Sequence, residues 1–75
     1  MPESFNILVE PGIYLDREDI QYIVLDPAID LETGVRMVVM KRLYFDGRGI
    51  MLVQEEAKFA TRIACGDMRM VREFP

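Results

Sequence analysis

The sequence predicts a mainly β protein, α+β only at the margin: a small barrel or strongly bent antiparallel sheet of about five strands with one short helix in the second half. Three observations carry that expectation. Short runs rich in Val, Ile, Tyr and Met recur between turn signals. Only residues 55–65 show helical spacing. No repeat or long polar stretch divides the chain, so residues 1–75 read as a single small domain.

Residues 34–54 organise the rest. They read as a strand (34–45), a tight turn at Asp46-Gly47-Arg48-Gly49 and a second strand (50–54). Asp-Gly between β-branched runs is a strong hairpin signal, because the turn that suits strand twist needs residues tolerating positive φ. On the first of these strands Val35, Met37, Val39, Leu43 and Phe45 share one face, interrupted by Lys41. Val38, Met40 and Tyr44 share the other with Arg36 and Arg42. A sheet solvated on one side alternates apolar with polar, and this strand does so poorly. Something must cover its second face: a helix of the same chain, the closing wall of a barrel, or another subunit.

The remaining elements follow in order. Residues 5–9 form a first strand stopped by Pro11-Gly12, and Ile13-Tyr14-Leu15 a short one after it. Residues 16–19 are a charged loop. Residues 20–26 make a strand apolar on both alternating sets, ended by Asp26-Pro27 because proline cannot donate to a ladder. A loop spans 28–33. In the helix, Ala57, Ala60, Ile63 and Ala64 recur at three- and four-residue spacing beside Phe59, with Gly66 as the stop. Residues 68–74 close the set as a last strand.

Composition excludes much. A 75-residue chain hides only about 60 to 65% of the surface its unfolded form exposes, and one cysteine and no histidine leave neither disulfide nor zinc cluster. With 51% apolar residues, the chain has more apolar side chain than a lone domain this small readily hides, which favours self-association. The start lacks the basic and apolar runs of a signal peptide, the longest apolar runs are four residues, and a cytoplasmic setting with no membrane is expected.

No catalytic, cofactor-binding or metal-binding residue emerges, and no enzyme is expected. Histidine, the usual acid-base group at neutral pH, is missing. Cys65 has Arg62 one turn before it but lies where a helix dipole disfavours a thiolate, and reads as a packed cysteine. Asp16, Glu18 and Asp19, or Asp26, Asp30 and Glu32, lack the spacing of a calcium loop. The net charge of −4 hides a polarity: residues 1–34 hold eight acids and one base, residues 35–75 five acids and eight bases. The basic half, with Lys41, Arg42 and Arg48 near Tyr44 and Phe45, offers nucleic-acid binding as the alternative function. The preferred one is a non-catalytic protein-protein interaction module, self-associating as a homo-oligomer, with a partner surface at Met40, Arg42, Tyr44, Arg48, Met51 and Met70. A phage- or plasmid-encoded inhibitor of a host protein is a further alternative.

Gly12-Ile13-Tyr14, Tyr22-Ile23-Val24-Leu25, Ala28, Glu32-Thr33, Val38-Val39, Leu43-Tyr44, Gly49 and Phe59 resemble, in order and spacing, a bacterial family of stand-alone SH3-like small barrels of unknown function. The resemblance covers residues 12–59 and implies an SH3-like fold without an activity. It departs where that family has a histidine-aromatic-lysine trio (Asp16-Arg17-Glu18 here), a tryptophan (Met51) and Arg-Pro-Leu (Gln54-Glu55-Glu56). Those polar and aromatic positions are the ones most suited to a ligand, so a shared ligand does not carry over.

Overall fold

The structure, a computed structural model, describes residues 9–43 and 47–74. Its elements are β1 (Gly12–Asp16), β2 (Gln21–Ile29), β3 (Arg36–Leu43), β4 (Gly49–Glu55), α1 (Glu56–Ala64) and β5 (Met68–Glu73). All five strands join one antiparallel sheet in the order β4-β3-β2-β1-β5. Four strands meander, and the chain then crosses through α1 from one edge to the other. The fold is mainly β, as expected, but the sheet stays open: β4 and β5 lie at opposite edges and α1 packs against β3, β4 and β5. The bent sheet, not the closed barrel, is the form adopted.

Two aspartates build the turns that the sequence leaves as charged loop. Asp16 Oδ1 accepts hydrogen bonds from the backbone N–H of Glu18 (2.9 Å) and Ile20 (3.0 Å), and Tyr22 Oη donates to Asp16 Oδ2 (3.2 Å). Asp30 Oδ1 likewise accepts from Glu32 (2.9 Å) and Thr33 (3.2 Å) at the β2–β3 connection. A short carboxylate that captures nearby N–H groups replaces the missing ladder partners at a chain reversal. The acidic clusters are therefore turn-builders. Among the described residues no group of three His, Cys, Asp or Glu is gathered where it could hold a metal.

β2 does not stop at Asp26-Pro27. It runs on to Ile29, with the register against β3 shifting between Val24 and Pro27. Two features accommodate the proline. The irregularity breaks the ladder locally, and β1 pairs only with residues as far as Val24, so among the described residues this part of β2 has β3 as its one strand neighbour. Proline is tolerated at such an edge. The expected strand at residues 5–9 lies outside the described residues except for Val9, which is buried in the core.

That core sits between α1 and one face of the sheet. Val9, Tyr14, Tyr22, Val24, Val38, Met40, Phe59 and Met68 are its buried apolar members. Phe59 is fully enclosed and meets Tyr14 edge to face, ring centroids 5.4 Å apart at 85°. Burying one such ring stabilises by about 2 to 3 kcal/mol, and the perpendicular pairing adds about 1 kcal/mol. Tyr14 Oη donates to the Glu10 carbonyl at 2.7 Å, which satisfies the buried hydroxyl. The helix does not present the stripe its alanines suggest: Ala57 and Ala64 are exposed, and Glu56 and Phe59 are buried with Ala60 and Ile63 against the core.

Glu56, 2% exposed, is held by Arg36 of β3, with Arg36 Nε 2.9 Å from Glu56 Oε1 and Nη2 donating to Oε2 at 3.4 Å. This ion pair, with its one long hydrogen bond, ties the first residue of α1 to the sheet. At its other end Gly66, at φ 81°, lets the Asp67 N–H return to the Arg62 carbonyl (2.8 Å) and stops the helix.

Candidate functional site

The pairing register sorts the strand residues onto two faces. Val38 and Met40 of β3, Leu52 of β4, and Tyr22 and Val24 of β2 point toward α1, the inner face. Met37, Val39, Lys41 and Leu43 of β3 point away, as do their neighbours Met51 and Val53 of β4 and Ile23 of β2. Ile13 and Leu15 of β1 continue this outer face. α1 seals the inner face, and no described element covers the outer one.

The outer face is consequently apolar and wet at one end. Leu43 is 48% exposed, Met51 53% and Val53 59%, while Ile13, Ile23, Met37 and Val39 are half-buried by their neighbours. Scattered apolar residues on a surface are ordinary, but a contiguous stretch marks a contact surface. Lys41 crosses this patch between Ile23 and Met51. Its aliphatic stem lies over Gly49, where a Cβ would collide with Lys41 Cε. Glycine at 49 thus leaves a shelf on which the lysine stem rests, an arrangement that keeps the patch apolar beneath one charge.

The six residues expected to form a partner surface are not brought together. Met40 is 3% exposed and belongs to the core, so it is no surface residue. Its strand is two-faced, and α1 covers the Met40 side. Arg42, half-buried on the inner side, pairs across to Tyr22 and Ile50. Met70 stands beside Tyr14 at the β5 edge and is partly exposed. Arg48 is exposed at the start of β4, Met51 lies on the outer patch, and Tyr44 falls outside the described residues. Leu43, Val39 and Val53, exposed or half-buried on the outer face, are not among the six. The signal for them was the opposite set of β3 residues, with the unbroken apolar run at residues 50–53.

The basic half of the chain does not gather either. Arg36 holds Glu56, Arg69 Nη2 lies 2.9 Å from Asp19 Oδ1, and Arg17 of the first half pairs with Asp67. Lys41 and Arg42 point to opposite faces. Of these pairs, Arg69 with Asp19 joins a base of the second half to an acid of the first.

A shallow depression of about 190 Å³ is lined by Asp16, Arg17, Glu18, Arg62 and Asp67. Its charged groups are engaged with one another or with the backbone: Arg17 with Asp67, and Asp16 with the turn. Burial pushes the Asp16 carboxyl up, but hydrogen bonds from Ile20, Glu18 and Tyr22 and the charge of Arg62 outweigh it and hold the pKa below its ordinary 3.8. Tyr22 moves the opposite way, raised by burial and by the negative charge of Asp16. Burial, with Glu10 and Glu73 near by, likewise raises Tyr14. Cys65, expected to be packed, is exposed at the end of α1 because the chain turns away there toward β5.

No helix among the described residues is long and apolar enough to cross a membrane. Compared with known proteins, the chain matches no family model, no curated protein and no solved structure.

Proposed function

We propose that this chain is a non-catalytic protein-protein interaction module whose contact surface is the outer face of β3 and β4 and whose first partner is a second copy of itself, in the cytoplasm. One observation carries the reading: Leu43, Met51 and Val53 form with Val39 an apolar surface that α1, occupied with the other face, leaves to water. Covering it removes apolar area from water at about 25 cal/mol per Å², the same driving force that closes the inner face. The meander of four strands with β5 returning beside β1 supports the small-barrel kinship suggested by the sequence. Nucleic-acid binding has less behind it, since Lys41 and Arg42 diverge and Arg36 and Arg69 are held by carboxylates.

Light scattering at micromolar concentration tests the reading. A mass of twice the chain or more is the expected result, and a monomer throughout removes self-association.

A further inference from the structure

We propose that β4 adds edge to edge to β4 of a second copy, antiparallel about a two-fold axis through Leu52, so that two five-stranded sheets become one of ten. This rests on the self-association part of that reading and adds a second contact to it: the junction runs along the β4 edge and sets the two outer patches side by side without covering them. Among the described residues β4 pairs only with β3, which leaves its other edge without a strand neighbour. An unpaired edge is a template for another strand. The opposite edge, β5, is interrupted by Arg69, Arg72 and Glu73, whereas residues 49–54 of β4 carry no charge and no proline. The sheet therefore has one charged edge and one bare edge.

The symmetry fixes the choice of register. Antiparallel addition about a two-fold axis normal to the sheet keeps both outer faces on one side, so residues set opposite each other must share a face. Odd residues of β4 then meet odd residues. Centring the axis on Leu52 sets Met51 opposite Val53 of the second copy, and Val53 opposite its Met51, which joins the two apolar patches into one. The same register sets Gly49 opposite Glu55 of the second copy. Lys41 lies over Gly49 on that same outer face, so each Lys41 ammonium comes beside a Glu55 carboxylate of the other copy, twice by symmetry. Within one chain the two cannot meet; the intrachain partner of Glu55 is Lys58 of α1, an exposed pair at 3.9 Å that leaves the carboxylate open to a second cation. Glu55 is paired with Met37 of β3, four residues along the strand from Lys41. Opposite charges placed across neighbouring strands stabilise pairing, and like charges oppose it.

The test is a charge exchange. Sedimentation equilibrium from low to high micromolar is run on the wild type, Lys41→Glu, Glu55→Lys and the double variant, with melting of dilute samples as the folding control. The wild type is expected to dimerise. Each single reversal weakens the dimer by about tenfold, since it sets like charges together at both ends of the junction. The double variant, in which the charges have changed places, recovers to within about threefold of the wild type. Dimers indifferent to both reversals, or weakest in the double variant, overturn the β4 junction while leaving self-association standing. A wild type that grows beyond the dimer into open arrays overturns the two-fold arrangement, and a wild type monomeric throughout overturns both the junction and the reading beneath it.

Discussion

The two faces of β3 are nearly equal in apolar content and opposite in fate. Val38 and Met40 vanish beneath α1, while Val39 and Leu43, alternating with them along the same strand, look outward beside Val53 and Met51. The buried face is also the one that carries two arginines, Arg36 and Arg42. Counting apolar side chains would not have chosen it. What decides is where α1 lands, and α1 is pinned by the Arg36 grip on Glu56 and by Phe59 seated against Tyr14. The inner face makes the core, and the outer face is left partly exposed.

That division can be broken from the inner side first. Phe59→Ala empties the centre of the core and is expected to lower stability by about 3 to 4 kcal/mol, read by urea unfolding. For a domain this small that approaches the whole of its stability, so a largely unfolded variant in native buffer is the expected outcome. Glu56→Ala removes the buried carboxylate that holds Arg36 at the start of α1. Arg36 is partly exposed, so the cost is expected at about 2 to 3 kcal/mol, below that of a fully enclosed broken pair. A loss under half a kcal/mol would show that Phe59 alone positions the helix.

Asp16 sharpens the same contrast through pH. Asp16→Asn keeps the shape but weakens the acceptor that holds Glu18, Ile20 and Tyr22, with an expected loss of about 1 to 2 kcal/mol at neutral pH. The folded pKa lies below the ordinary 3.8, so the carboxylate's contribution is fully present above that value and is lost as pH falls through the folded pKa. Wild type and variant should therefore converge in stability on acidification below 3.8, as followed by urea melts at stepped pH. A constant gap would place the effect in shape and not in charge.

The smallest effect on folding belongs to the outer face. Val53→Lys puts an ammonium on a largely exposed position opposite Val39 in the ladder. Its expected cost in stability is under about 1 kcal/mol, yet it should disperse the associated form. Stability and assembly would then separate by face.

Much of the fold was legible because turn chemistry and periodicity act locally. The short strand at Tyr14, the paired strands β3 and β4, the single helix and the last strand all stand where spacing and glycine place them, while residues 44–46 at the expected turn lie outside the described residues. The misses were matters of long-range pairing. Pro27 reads as a strand end, yet β1 has already left β2 at that point and the strand continues. Asp16 and Asp30 read as solvated charge because their partners are backbone N–H groups, which no side-chain pattern reveals. Met40, expected on the surface, proves to be buried. With both faces apolar, alternation alone could not say which one α1 would take, and Met40 went to the core while Val39 and Leu43 stayed out. Glu56, in the sequence part of the Gln54-Glu55-Glu56 departure, proves to be the residue that ties α1 to β3.

One comparison tests the division most directly: sedimentation velocity of the wild type and Val53→Lys at matched high-micromolar concentration, with thermal melts of both. An associated wild type, a monomeric variant and melting temperatures within a few degrees are the predicted result. A wild type that sediments as a monomer, or a variant that associates as the wild type does, would contradict the assignment of the outer face to assembly.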